Sequence, residues 1–331
     1  MTVTPSRNIG LDLIRVAESA AAAAGRWIGL GRIQEAHEAA TNAMAQALAE
    51  IEIDGHVVIG EEGRLGEHSP LDSGQRVGKG GPEVDVVVDP IDGTRLVVGG
   101  LPGAISLVGV APRGTMWSPP SEAIYMDKIV VDREAAEALV PECLDAPAAW
   151  TLALVARVKK KPVRDLAVIV LNRPRHHDLI EEIRSAGARI LLRTEGDAEG
   201  ALEAALEGTD ADILMGTGGV SEGVIAACAV RALGGGMLGR LAPQSREEKQ
   251  AILDAGFDPT QVLTCKELVR TDDIYFAATG ITGGPVLRAI RYRGEYFETH
   301  SLLLRAATGT RRLIQAEHLL ARSWLPSQFG P

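Results

Sequence analysis

The stretch DVVVDPIDGTRL, residues 85–96, decides the reading of this chain. Val86, Val87 and Val88 form a continuous β-branched run, the pattern of a strand covered on both faces. Pro90 has no amide hydrogen to give a ladder, so the strand is expected to end about there. Gly93 then allows a backbone turn closed to other residues. Asp89 and Asp92 are thereby placed at the carboxyl end of a central strand, where open α/β sheets carry their sites. Two carboxylates that close repel one another unless a cation lies between them. Hard oxygen donors suit Mg²⁺ or Mn²⁺. A bare DPxD is also a common capped turn with solvated acids, and these residues alone leave both readings open.

Two other stretches repeat the pattern. In VVIGEEG, residues 57–63, a short apolar strand stops at Gly60 and Glu61 follows. In DILMGTGGVSEGV, residues 212–224, a strand runs into a glycine loop, and Ser221 and Glu222 open a helix. The amides of such a helix start favour phosphate, and an acid there serves as a cap or as a ligand. Taken singly, each acid is more often structural. Four of them at strand ends, Glu61, Asp89, Asp92 and Glu222, favour a metal site jointly. Thr94 follows two residues after Asp92, where its hydroxyl would position a metal-bound water or satisfy a turn. NRPRHHD, residues 172–178, sends Arg173 and Arg175 out of a strand together. Guanidinium forks match phosphate oxygens, although two solvated surface arginines fit the same spacing.

The whole chain sets the limits. Its 331 residues, 46% hydrophobic, suffice for two domains or one large α/β unit. A net charge of −10 with no basic face excludes a nucleic-acid groove, while a local basic cluster can still receive an anion. Cys143, Cys228 and Cys265 form no CxxC and read as small core residues in a reducing cytoplasm. The N-terminus lacks a secretory pattern and no apolar stretch reaches membrane-spanning length, so no membrane partner is expected. Residues 11–51 read as helix broken at Gly29–Gly31. Strands are expected at 56–60, 104–112 and 128–131, with a turn-rich segment at 65–84. From residue 163 a βαβαβα rhythm predicts a mostly parallel sheet with right-handed crossovers. The boundary between two α/β halves, 1–155 and 156–331, is expected near residues 145–165.

In order along the chain, RVAESAA, VVIGEEG, VDVVVDPIDGTR, IYMDK, RPRHHD, GTGGVSEGV, DDIYFAATGITGG and TRRLIQ resemble the class II fructose-1,6-bisphosphatases, from about residue 15 to 320. DPIDGT alone recurs across the wider lithium-sensitive phosphatase superfamily, whereas GTGGVSEGV and FAATGIT are more specific. The resemblance implies a layered α/β/α/β/α sandwich. It implies a hydrolase dependent on Mg²⁺ or Mn²⁺ that removes a sugar 1-phosphate by attack of a metal-bound water. Fructose 1,6-bisphosphate is the expected substrate, with sedoheptulose 1,7-bisphosphate second. By motif, Glu61, Asp89, Asp92 and Glu222 match metal ligands, and Thr94, with Asp89, matches the catalytic centre. Gly93, Arg95 and Tyr125 fall at substrate-contacting positions. Arg173 and Arg175 fall where the family holds the distal phosphate. Glu195 and Asp197, in TEGDAEG, fall where a PDGD stretch touches sugar hydroxyls. The resemblance also implies a cytoplasmic homo-oligomer, dimer or tetramer.

The chain departs from that pattern in two places. Where the family usually reads GDKNxADGAAxxAM, this chain has GRIQEAHEAATNAM, residues 31–44. Arg32, Ile33 and Gln34 replace DKN, His37 stands at the metal-binding aspartate and Glu38 at the glycine. Imidazole suits Mn²⁺ better than Mg²⁺, so His37 is a candidate ligand, with Glu35 or Glu38 as a substitute from the same helix. Secondly, Thr194-Glu195-Gly196-Asp197 replaces PDGD. A smaller change puts Asp92 where glutamate is common. These differences keep two alternatives in view: the same chemistry on another phosphorylated sugar or cyclitol, and a non-catalytic sugar-phosphate-binding protein.

Overall fold

The structure, a computed structural model, describes residues 8–61 and 68–320. Part of the turn-rich segment, residues 65–67, and Glu62 and Gly63 of VVIGEEG lie outside the described residues. The helices that matter to the site are α1 (Gly10–Gly25), α2 (Ile33–Ala49), α3 (Thr94–Gly99), α4 (Ala148–Val158), α5 (His177–Ser185), α6 (Asp197–Ala205) and α7 (Val220–Leu233). The strands begin with β1 (Asp54–Ile59), β2 (Arg76–Val77), β3 (Glu83–Asp92) and β4 (Ile105–Pro112). Next come β5 (Tyr125–Val131), β6 (Ala167–Leu171), β7 (Arg189–Arg193), β8 (Ile213–Gly219), β9 (Gly236–Leu241) and β10 (Leu263–Thr264). The chain closes with β11 (Tyr275–Gly280), β12 (Arg291–Arg293), β13 (Tyr296–Arg305) and β14 (Thr310–Leu319).

Two sheets result. The first has the order β12-β13-β11-β4-β3-β1-β2, with β14 paired to β13, and the second β10-β9-β5-β8-β6-β7. Side-chain alternation stacks them into five layers. Val86 and Val88 of β3 face a core shared with Leu13, Val16, Ala17 and Ala20 of α1 and with Ala36, Ala40 and Met44 of α2. Val87 faces the opposite way, into a core with Ala201 of α6 and Val224 and Cys228 of α7. Met126 and Val130 of β5 and Ile169 of β6 close that middle layer from the second sheet. Ile129, Val131, Val168 and Val170 point outward to Leu152, Val155, Ile180 and Ile183 of α4 and α5. The order is therefore helix pair, sheet, helix pair, sheet, helix pair: the α/β/α/β/α sandwich. Burying each valine, leucine, isoleucine or methionine among them contributes roughly 1.5–3 kcal/mol relative to exposure, and each alanine less.

The expectation of a mostly parallel second sheet is corrected in part. β7, β6 and β8 are parallel, as strands joined through α5 and α6 require. β5, however, is antiparallel to both β8 and β9. It enters directly from β4 of the first sheet with no crossover helix, so nothing holds it to the parallel sense. Residue 155 lies within α4, and the second sheet takes β5 from before it and β6–β10 from after it.

The strand containing Pro90 also runs further than expected, to Asp92. Pairing with β1 stops at Val87, and pairing with β4 jumps from Asp89–Leu107 to Asp92–Ile105. Pro90 sits in that irregularity, where no ladder donor is demanded of it. All three cysteines are buried and free. Among the described residues, no helix is long and apolar enough to cross a membrane.

Candidate active site

The irregular end of β3 aims its two acids inward. The Ile91 amide donates to Asp89 Oδ1 at 3.1 Å, and the Glu199 amide, in the first turn of α6, donates to Asp92 Oδ2 at 2.8 Å. Gly93 follows with φ +91° as the residue before α3, a left-handed conformation that glycine adopts without penalty. Thr94 thus begins α3 beside the acids, its hydroxyl 3.5 Å from the Ile91 carbonyl oxygen. The third acid arrives from the other sheet: β8 ends at Gly219, and Glu222 in the first turn of α7 accepts from the Gly219 amide at 2.7 Å.

One ligand atom each from Asp89, Asp92 and Glu222 falls within 4.8 Å of the other two. Both aspartates are buried. Burial, with the charges of Asp89 and Glu222, pushes the Asp92 carboxyl well above the usual carboxylate range. A site that holds three acids this close is short of positive charge.

A cavity of about 960 Å³ opens over this group. Gly93, Thr94, Arg95, Tyr125, Arg173, Arg175, Glu195 and Asp197 all line it, together with Asp92 and Glu222. Every predicted substrate contact is therefore brought to one place. Arg175 donates through Nε and Nη2 to the Thr217 carbonyl, at 3.2 and 2.9 Å, and its guanidinium lies 4.8 Å from the Tyr125 ring centroid. Arg173 Nη2 donates to Glu195 Oε1 at 3.4 Å, and the same carboxylate accepts the Arg95 amide at 3.0 Å. Glu195 thus already braces two of the basic residues.

Glu61 and His37 come together just past the end of β1, the strand beside β3. Among the described residues they are not members of the three-acid group. His37 Nε2 lies 2.9 Å from Glu61 Oε2, with 5% and 1% of the two side chains exposed. His37 is on the buried face of α2, between Ala36 and Ala40 of the helix–sheet core. The two glutamates considered as substitutes turn away. Glu38 is exposed and accepts from Gln34 Nε2, and Glu35 stands 3.8 Å from Arg32.

Sequence reasoning passed over Lys128. It is fully buried on β5, ion-paired with Asp197, and donates to the Gly219 carbonyl at 3.1 Å. The signal was available: a lysine between Met126 and Val130 interrupts the apolar face of a strand. Asp197 itself is buried, which pushes its carboxyl up against the opposing pull of Lys128.

The family described as bacterial fructose-1,6-bisphosphatase, glpX-encoded, matches residues 7–318. A class 2 fructose-1,6-bisphosphatase of Haemophilus influenzae is 36% identical over 329 residues, covering 95% of this chain and 97% of the relative. A class 2 D-fructose 1,6-bisphosphatase/sedoheptulose 1,7-bisphosphatase of Synechococcus sp. is 36% identical over 337 residues, covering 94% and 95%. Fructose-1,6-bisphosphatase 1 class 2 of Escherichia coli K12 is 36% identical over 330 residues, covering 96% of each. With the three acids clustered beneath a cavity that the threonine and the arginine pair line, and with similarity along nearly the whole length, the chain belongs to the class II fructose-1,6-bisphosphatase family.

Proposed function

We propose that this protein hydrolyses the 1-phosphate of fructose 1,6-bisphosphate, with sedoheptulose 1,7-bisphosphate as the second substrate. The observation that carries the reading is the three-carboxylate group of Asp89, Asp92 and Glu222 under a cavity lined by Arg173 and Arg175.

The donor set fits a hard divalent cation: three carboxylates, with no thiolate or imidazole in the group. The crowding that raises the Asp92 carboxyl is the charge deficit such an ion would fill. Asp89, Asp92 and Glu222 would hold Mg²⁺ or Mn²⁺. When bound, the ion offsets charge on the phosphate oxygens and polarises the scissile phosphorus–oxygen bond. Glu61 and His37 would offer a mixed oxygen and nitrogen donor pair to a second ion, a set better suited to Mn²⁺.

This chain's own residues supply the positioning. The Thr94 hydroxyl orients the attacking water against the phosphorus, with Asp89 accepting from that water. Gly93, lacking a side chain, lets the phosphate approach the backbone at the start of α3. Arg173 and Arg175 hold the distal phosphate through their remaining N–H groups. Tyr125, stacked under Arg175, fixes that fork, and Asp197 accepts from a sugar hydroxyl. Arg95 covers the entrance. The protein is proposed to work in the cytoplasm as a dimer or tetramer.

A second reading, the same hydrolysis on a different phosphorylated sugar or cyclitol, is favoured by one observation. Glu195, predicted as a sugar contact, is engaged by Arg95 and Arg173. Phosphate release from a panel of sugar and cyclitol phosphates, each with Mg²⁺, Mn²⁺ or chelator, separates the two. The first reading expects fructose 1,6-bisphosphate to rank highest and chelator to abolish release; a higher rank for another ester establishes the second.

A further inference from the structure

We propose that Lys128 is a positioning residue that fixes Asp197 for substrate binding; the proposal rests on the phosphatase reading above. Lysine is almost never fully buried unless paired, and a buried ion pair is no strong source of stability, because desolvation offsets the attraction. Lys128 occupies an inward position of β5 flanked by Met126 and Val130, where an aliphatic side chain would complete the middle core layer. Instead its Nζ reaches the edge of the cavity. There it pairs with Asp197, a cavity-lining residue, and donates to the Gly219 carbonyl at 3.1 Å.

The surroundings are shaped for this pair. A Cβ on Gly218 would collide with Asp197 Oδ2 and lie 2.7 Å from Lys128 Nζ. A Cβ on Gly223 would press on Met126 Sδ at 2.7 Å and meet Lys128 Cδ only at an ordinary contact distance of 3.5 Å. Glycine at 218 is therefore the position that leaves room for the carboxylate and the ammonium against β8. Gly219 is then held on both sides, its carbonyl accepting from Lys128 and its amide donating to Glu222. The lysine therefore sets Asp197 beside the same residue whose amide orients Glu222. Asp197 follows directly after Gly196, whose φ is +86°. Its backbone is set by a turn, and Lys128 holds the side chain that the turn leaves to rotate.

The test uses three full-length variants, Lys128→Met, Asp197→Asn and the double Lys128→Met/Asp197→Asn, with steady-state hydrolysis of fructose 1,6-bisphosphate and of sedoheptulose 1,7-bisphosphate at saturating Mn²⁺. If the lysine acts through Asp197, each single variant raises KM about tenfold or more with kcat changed less than about threefold, the mark of lost substrate binding. The double variant is then no worse than Asp197→Asn alone, because the two residues act as a unit. An unchanged KM in Lys128→Met, or effects that multiply in the double variant, overturns the proposal. Should Lys128→Met fail to fold around an unpaired carboxylate, the double variant has no such charge. Its KM against that of Asp197→Asn then decides. A wild-type chain inactive on both bisphosphates overturns the phosphatase reading, and this proposal with it; an active wild type with unaltered variants overturns this proposal alone.

Discussion

His37 Nε2 meets Glu61 Oε2 at 2.9 Å in a space sealed from solvent, tying α2 to the end of β1. The pair occupies the point where the chain departs most from its family's pattern. Truncating the imidazole leaves a buried carboxylate without its ring partner. The His37→Ala variant is expected to lose about 1–3 kcal/mol, the cost of a buried polar group whose partner is removed. Urea unfolding would show this as a lower midpoint at unchanged slope. An unaltered midpoint would mean that the pair contributes nothing.

Asp92 is held in its acidic cluster against repulsion, and the sign of its effect follows. Its folded pKa is raised by burial and by Asp89 and Glu222. The folded state thus binds a proton more readily than the unfolded one, and stability is lost as pH rises from the ordinary carboxylate range through the raised value. In chelator at pH 8, Asp92→Asn should therefore be more thermostable than the parent. Adding Mn²⁺ should reverse the order, since at a hundredfold excess over Kd an ion stabilises its site by about 2.7 kcal/mol. Differential scanning calorimetry with and without the ion reads both effects, and a variant less stable than the parent in chelator would count against the crowded-acid account.

Glu199 stands behind the cluster. Burial pushes its carboxyl up to about 7, opposed by Arg193 and aided by Glu203. Its folded pKa exceeds the ordinary value of 4.5, so its contribution to stability is present below that value and declines until pH passes 7. The full swing is roughly 3 kcal/mol at 1.36 kcal/mol per pKa unit. Glu199→Gln should flatten the pH dependence of unfolding across that window. A slope equal to the parent's between pH 4.5 and 7.5 would assign the titration to another group.

Arg175 makes two hydrogen bonds to Thr217 and stacks over Tyr125, which fixes its fork at the cavity wall. Hydrogen bonds to charged groups contribute about 1.5–3 kcal/mol. Arg175→Ala is thus expected to raise KM for a sugar bisphosphate roughly tenfold to a hundredfold while leaving kcat much less affected. Sugar monophosphates, lacking the distal group, should lose little. An equal loss on both substrate types would remove Arg175 from phosphate recognition.

Much of the site was legible because strand ends announce themselves. Val86–Val88 and the glycines around Gly93 and Gly219 marked where Asp89, Asp92 and Glu222 emerge, and the structure brings those three together. The partners of Glu61 and Glu195 were not legible. Which side chain a buried acid meets depends on how α2 seats on the first sheet and how the two sheets face each other, and neither is encoded in local spacing. Lys128 was missed for a related reason: its place between Met126 and Val130 marks it as inward-facing, but local spacing does not say that its partner is Asp197. The antiparallel sense of β5 escaped as well, since a strand that follows β4 of the first sheet without a crossover helix obeys no local rhythm.

The most direct test of the account follows fructose 1,6-bisphosphate by phosphorus NMR with Mg²⁺ or Mn²⁺, comparing the parent with Asp89→Asn. The account predicts loss of the 1-phosphate signal with growth of inorganic phosphate and fructose 6-phosphate, and at least a hundredfold slower loss in the variant, about the cost of removing a group from a preorganised electrostatic site. Loss of the 6-phosphate instead, or equal rates in parent and variant, would contradict it.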